Sequence, residues 1–472
     1  MICLSTNAKH NDVSAETNCR YYAFVVRSCR IIAFASAIWA ANTAFAQTAP
    51  EQFQSTELVP ASTVQEGGWD LAGWETLALE RNPTLVQAGA QVRLSRGAAW
   101  QAGLWPNPDI GYLADQVGAA GTAGEFQGAF VHQQFITGGK LQLSRAKYAQ
   151  QAAQAQIQVL AQRFRILSSI RSAYYQALLL EQHRKLRRQL AANAEDAVRT
   201  VEELVNVGQA NRTDLLQSQI QLQRAQANLL VTDRRYQAAW AELTALAGAP
   251  DLSPTPLVGT LERPGDQVLD RDESLNFILA CSPEIRFARA EVERDRIGLQ
   301  RERVEPIPNV NLRAESGYNF ESNDNVYGME LGLTVPVFDR NQGTIMQAQA
   351  ELSRAQAEVT RVELQVRRRF AQTFADYETA NISAQTYREQ SLPQAQELYQ
   401  LYLESFERKR AAWPQVLDAQ RDYYEMYEDY LDNLVDARTA EARLTTFLLD
   451  GGLDQPPEPT PQGHRDATPR PR

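Results

Sequence analysis

Histidine, cysteine and one glycine-rich segment are the residues whose types could do chemistry. The four histidines, His10, His132, His183 and His464, stand far apart, without the spacing of a metal-ligand set, so each reads as a surface or packing residue. Beyond residue 46 the one cysteine is Cys281, which excludes an intramolecular disulfide or a cysteine metal cluster there and reads as a small apolar packing residue. Gly138-Gly139-Lys140 resembles the end of a phosphate loop. That loop, however, needs Gly where Gln134 stands and Ser or Thr where Leu141 stands. There is no Gly-x-Ser-x-Gly, no His-Glu-x-x-His and no Cys/His dyad. Catalysis is not expected, and neither a cofactor nor a resident metal is called for.

The chain must therefore work through its elements. Arg27 and Arg30 precede an apolar run, Ile31 to Ala41, followed by Ala44-Phe45-Ala46, so residues 1–46 read as a signal peptide and 47–70 as an N-terminal extension. No Cys follows the apolar run, and lipidation is not expected. The whole chain carries a net charge of −10, and Lys9, Arg20, Arg27 and Arg30 against Asp12 and Glu16 leave −12 for the remainder. Such an acidic balance argues against nucleic acid as a partner. Past the leader no run of about 18 apolar residues occurs, so a membrane crossing would have to be a β-barrel.

One unit is present twice. Pro83 recurs as Pro283, and Pro106-Asn107-Pro108-Asp109-Ile110 as Pro306-Ile307-Pro308-Asn309-Val310; farther on, Leu243-Thr244 matches Leu444-Thr445. The first repeat is placed at 71–248, a Pro- and Gly-rich surface crossing at 249–268, the second repeat at 269–452, and a disordered Pro-rich tail at 453–472. Each copy reads as helix, strand pair, very long helix, helix. The first helices span about Thr84 to Gly103 and Glu284 to Val304, closed by Pro-x-Pro. Strands are expected at about 107–116 and 125–136, then 308–319 and 326–337, with turns at Gly118 to Gly124 and Glu321 to Asn325. In the last of these strands Tyr327, Met329, Leu331, Leu333 and Val335 alternate with Gly328, Glu330, Gly332 and Thr334.

After each hairpin comes a segment without strong breakers, Lys140 to Val207 and Thr344 to Arg410, each about 100 Å long as a helix. Leu352, Ala355, Val359, Val362 and Val366 step by three and four, and Ile157, Leu160, Phe164 and Leu167 repeat the seam. Pro393 is expected to kink the second long helix. Last helices run from about Thr213 to Ala247 and Trp413 to Leu449.

Alternating strands of nine to eleven residues suit a bilayer. Four strands cannot close a barrel, and open edges in hydrocarbon leave backbone groups unpaired at several kcal/mol each. Several copies must then share one barrel. The rival is a soluble sheet with a coiled-coil stalk, hence a periplasmic scaffold or adaptor.

Leader, duplication, Pro-x-Pro before each hairpin and long helix pairs together resemble the TolC family of outer-membrane efflux proteins. Phe135-Ile136-Thr137-Gly138-Gly139, Val335-Pro336-Val337-Phe338-Asp339-Arg340-Asn341-Gln342-Gly343, Leu392-Pro393-Gln394-Ala395 and Val416-Leu417-Asp418-Ala419-Gln420 carry the resemblance. It implies a mainly α fold with a membrane β-barrel, a homotrimer with twelve strands, and a periplasmic helical tunnel in the outer membrane's lipid. It also implies a periplasmic adaptor and an inner-membrane pump as partners, with the overall texture closest to the metal-efflux, CzcC-like branch for resistance-nodulation-division (RND) pumps. A protein-secretion duct is an alternative of the same architecture. By the same resemblance the turns between paired helices gate the tunnel and meet the adaptor: Gly208, Asn211, Thr213 and Asp214 in one copy, Arg408, Lys409, Arg410, Trp413, Pro414 and Asp418 in the other. The basic triplet departs from the glycine usual there. Pro106, Pro108, Gly138, Gly139, Pro306, Pro308, Pro336 and Gly343 mark the strand–helix junctions.

Overall fold

The computed structural model describes residues 68–117, 125–208, 210–262, 269–408 and 410–456. The expected leader, the turn 118–124, Lys409 and the tail from 457 lie outside the described residues.

Each repeat opens with two helices rather than one. α1 (Leu71–Arg81) and α2 (Pro83–Ala102) meet at Asn82, and α5 (Arg271–Cys281) and α6 (Pro283–Val304) meet at Ser282. Proline suits the first position of a helix and cannot continue the one before it, which splits each pair at the same place. Asp70 and Asp270, 200 positions apart, cap α1 and α5 by accepting from Gly73 N and Glu273 N. Two strands follow in each repeat: β1 (Asp109–Asp115) and β2 (Phe126–Phe135), then β3 (Val310–Asn319) and β4 (Asp324–Leu333). The second hairpin turns at 320–323, tighter than expected, and β4 stops short of 337 because its partner β3 begins only at Val310.

The long helices form as expected. α3 (Lys140–Asn206) is continuous for 67 residues and pairs with α4 (Arg212–Leu246). Its counterpart comes in three pieces: α7 (Gln342–Thr386), one π-helical turn (Tyr387–Ser391) and α8 (Leu392–Glu407), pairing with α9 (Trp413–Thr445). Proline cannot donate to the carbonyl four residues back, so the helix widens ahead of Pro393, and Leu392 N donates to Tyr387 O instead.

The seam of α7 is where the sequence placed it, with Ala355 and Val366 buried and Leu352, Val359 and Val362 half-buried. In α3 the seam is displaced. Ile157, Leu160, Phe164 and Leu167 are only half-buried, whereas Ala155, Gln158, Gln162 and Ile166 form the buried stripe. α3 packs against both α2 and α6, and small or flat side chains admit two neighbours at close range.

The main core lies midway along the helices, where Trp74, Ile166, Ile170, Tyr174, Tyr236, Trp240 and Leu243 meet; Trp74 stands edge-on to Trp240 at 5.6 Å. Of the segment between repeats, residues 249–262 pack onto this core: Leu257 and Leu261 are buried, Trp69 bridges to Leu257, and the Tyr174 hydroxyl donates to Val258 O at 2.6 Å. Cys281 is exposed at the end of α5, since Ile278 one turn earlier takes the inward position. Gly452 O accepts from Asn82 Nδ2, Thr84 Oγ1 and Gln162 Nε2, fastening the end of the second repeat to the start of the first.

Candidate channel wall and hairpin tips

The four strands form one antiparallel sheet in the order β1-β2-β3-β4, the two repeats joining through β2 and β3. Directly paired residues share a face of a sheet. One face is therefore built from rows such as Ile110, Val131, Ala314 and Met329, or Phe135, Val310 and Leu333. The other carries Asp109, His132, Arg313 and Glu330 in one row. His132 Nδ1 lies 3.4 Å from Asp109 Oδ2, and Arg313 covers the Phe130 ring at 4.6 Å. The apolar face is bare: Ile110 is 75% exposed and Met329 81%. Along β4, Tyr327 to Leu333 spans about 20 Å at about 3.3 Å per residue. Among the described residues β1 and β4 each present an unpaired backbone edge, a liability in water and intolerable in lipid.

Close strand pairing at β2–β3 depends on two glycines. A Cβ on Gly128 would stand 2.4 Å from Ser316 O, and one on Gly317 2.3 Å from Gln127 O.

At the junctions, Gly138 and Gly139 have φ of +66° and +68°, and Gly139 caps α3. The equivalent cap in the second repeat is Asn341 at φ +60°, not Gly343, which lies inside α7 with open space around it. Asn341 Nδ2 holds this bend by donating to Glu302 O at 2.9 Å. Lys140 is buried beside Asn309 Oδ1 at 3.0 Å, and its burial lowers the amine's pKa. Pro106 and Pro108 stand between α2 and β1, Pro306 and Pro308 between α6 and β3, and Pro336 lies beyond the end of β4.

The tips differ in construction. In the first, Gly208 turns the chain at φ +72°, and Asn211 and Asp214 cap α4 reciprocally at 3.0 and 3.1 Å, with Thr213 exposed. In the second, Arg410 N and Ala411 N both donate to Ser405 O, and Gln415 Oε1 accepts from Ala412 N. Trp413 packs on Phe406 at 4.9 Å, Pro414 sits in the first turn of α9, Arg410 is exposed, and Arg408 reaches Glu404 at 3.4 Å. No glycine is required here.

Two features escaped sequence reasoning. Between the hairpins, Arg187 of α3 pairs with Glu428 of α9, one turn from His183 Nε2 and Asp432 Oδ1 at 3.8 Å. Burial raises the pKa of Glu428 against the pull of Arg187, and pushes His183 down to about 4, helped by Arg187 and Arg235. Second, Asp418, Asp422, Glu425, Asp429, Asp432 and Asp436 step by four and three along α9, all exposed; Arg421 lies within 4 Å of the first three. The spacing is present in the sequence, interleaved with the apolar seam of the same helix. The stripe borders a cavity of about 590 Å³ beside the π-helical turn, lined also by Ser383, Thr386 and Tyr387.

A sheet with one lipid-compatible face, two unsatisfied edges and helix pairs running on from its strands is a segment of a membrane channel wall. Residues 74–249 and 275–448 both match the family described as outer membrane efflux protein, and the chain belongs to that family. Its place is the cell outer membrane, with the helices in the periplasm, and it is the non-enzymatic exit duct of a tripartite efflux system. Membership sets aside the soluble-scaffold alternative. The cobalt-zinc-cadmium resistance protein CzcC of Cupriavidus metallidurans is 25% identical over 402 residues, 83% of this chain and 93% of that one. The nickel-cobalt-cadmium resistance protein NccC of Alcaligenes xylosoxydans is 28% identical over 284 residues, 57% of this chain and 61% of its own. Among solved structures, the open-state MtrE outer membrane channel of Neisseria gonorrhoeae shares the fold with a TM-score of 0.67 at 18% identity, covering 86% of this chain and 96% of MtrE.

Proposed function

We propose that three copies of this chain close a twelve-stranded barrel over a helical tunnel and conduct divalent transition-metal cations delivered by an RND pump through a periplasmic adaptor. The pair of unpaired edges on β1 and β4 carries the assembly, since only further copies can satisfy them in lipid. The cation reading is supported by the acidic stripe on α9 and by likeness to CzcC along nearly its whole length. The tips at Gly208 to Asp214 and at Arg408 to Asp418 gate the tunnel and meet the adaptor. Deletion of the gene in its host tests the substrate: cobalt, zinc and cadmium tolerance should fall several-fold and return on complementation. Unchanged metal tolerance alongside new sensitivity to organic drugs would overturn the metal reading.

A further inference from the structure

On the polar face of the sheet one row differs from its neighbours. Asp109, His132, Arg313 and Glu330 lie side by side, near the end where the strands pass into the helices. The rows before and after it are opened by glycine. Gly111 and Gly328 flank Phe130 and Glu315 on one side, and Gly332 follows Gln134 and Asn311 on the other. The charged row carries a polar side chain on every strand, so it narrows the passage where cargo would leave the tunnel for the barrel.

The charges of this row are not spent on one another. Arg313 lies over the Phe130 ring at 4.6 Å and reaches Glu315 Oε2 at 3.4 Å, one row away, instead of its direct neighbour Glu330, which stays exposed. The His132 side chain is 34% exposed, with Nδ1 3.4 Å from Asp109 Oδ2. When Nδ1 donates to that carboxylate, Nε2 is left with its lone pair. Metal-binding imidazoles use this same arrangement, the carboxylate fixing tautomer and ring orientation from behind.

We infer that His132 Nε2, backed by Asp109, is a transient ligand for the divalent transition-metal cations passing through, one imidazole in each copy, with the Glu330 carboxylates of the same row attracting the hydrated ion. A single imidazole needs no metal-ligand spacing in the sequence. Three of them around a lumen about 24 Å wide between opposite backbones cannot share one ion. Each therefore offers one nitrogen to a cation that keeps water in its other positions. A conduit requires such weakness, since an ion must be held well enough to enter and loosely enough to leave. A nitrogen donor favours zinc, nickel and copper over magnesium and calcium. The inference rests on the metal-conducting reading above and adds a site along the path.

The probe is Cu2+, added to purified trimers of the full-length protein with His10→Gln and His464→Gln as background, which leaves His132 and the largely buried His183. The expected electron paramagnetic resonance spectrum shows nitrogen hyperfine structure, lost in His132→Gln and kept in His183→Gln. Asp109→Asn should weaken binding about 10-fold. In the unaltered protein, excess Cd2+ but not Mg2+ should shield His132 from acylation by diethyl pyrocarbonate, read by peptide mass. Nitrogen coordination that survives His132→Gln, or a His132 that Cd2+ does not shield, overturns the site. Both measurements read binding alone, so the site can fail while deletion of the gene still lowers metal tolerance. A deletion that leaves tolerance unchanged overturns the metal reading itself.

Discussion

Removing the Arg187 guanidinium should leave the closed duct leaky. Arg187 and Glu428 join the two helical hairpins of one chain across α3 and α9, and on the gating proposed above, opening of the tips parts them. Their side chains are 26% and 15% exposed, so Arg187→Ala strands a largely buried carboxylate. Breaking a fully buried pair costs about 3–5 kcal/mol, and solvent at the Arg187 end reduces this to about 2 kcal/mol. Charged only to the closed state, about 2 kcal/mol raises the open-to-closed ratio about 30-fold. Single-channel recording of the purified trimer in planar bilayers reads that ratio directly. The exchange Arg187→Glu with Glu428→Arg should return it towards the wild-type value. An unchanged open probability in Arg187→Ala trimers of normal yield would refute the latch, as would equal leakiness of the exchanged pair.

Gly128→Val should abolish heat-resistant trimers on gels, because its Cβ would meet Ser316 O and the Gly317 backbone; Gly332→Ala, with open space, should not. Trp74→Ala empties the centre of the main core and should cost about 3–5 kcal/mol, seen as a lower midpoint in detergent-phase thermal unfolding. His183 is held neutral when folded, with its pKa at about 4 against 6.5 when exposed. The unfolded chain therefore takes up the proton first, and stability is lost as pH falls from 6.5 towards 4. His183→Gln should flatten that part of the stability–pH curve relative to wild type. Gly208→Ala places a side chain at φ +72° in open space and should cost only about 1 kcal/mol, visible as faster proteolysis at the first tip rather than loss of trimer.

The duplication was legible because proline leaves the same mark wherever it must end a helix, at Pro83 and Pro283 as at Pro106 and Pro306. The long helices were legible because nothing in Lys140 to Asn206 breaks one. What was hidden depends on neighbours. Residues 71–81 and 271–281 form separate short helices because Pro83 and Pro283 cannot continue them and the chain bends at Asn82 and Ser282, although Asp70 and Asp270 already marked their starts. The buried stripe of α3 passes through Gln158 and Gln162, which no hydrophobic pattern would select, since two flanking helices rather than one decide what fits. Asn341 takes the place of the junction glycine of the first repeat by holding a left-handed bend with its amide, two residues ahead of Gly343. The Arg187–Glu428 pair joins residues 241 positions apart, beyond the reach of local spacing.

Gly452 O, gripped by Asn82, Thr84 and Gln162, closes the fold into a loop that the peptide backbone leaves open. The same Asn82 also donates to Leu246 O at the end of the first repeat, so both repeats finish against one side chain. The hinge between α1 and α2 is thus a shared anchor for the ends of both repeats, so one substitution at Asn82 would loosen two distant stretches of the chain at once.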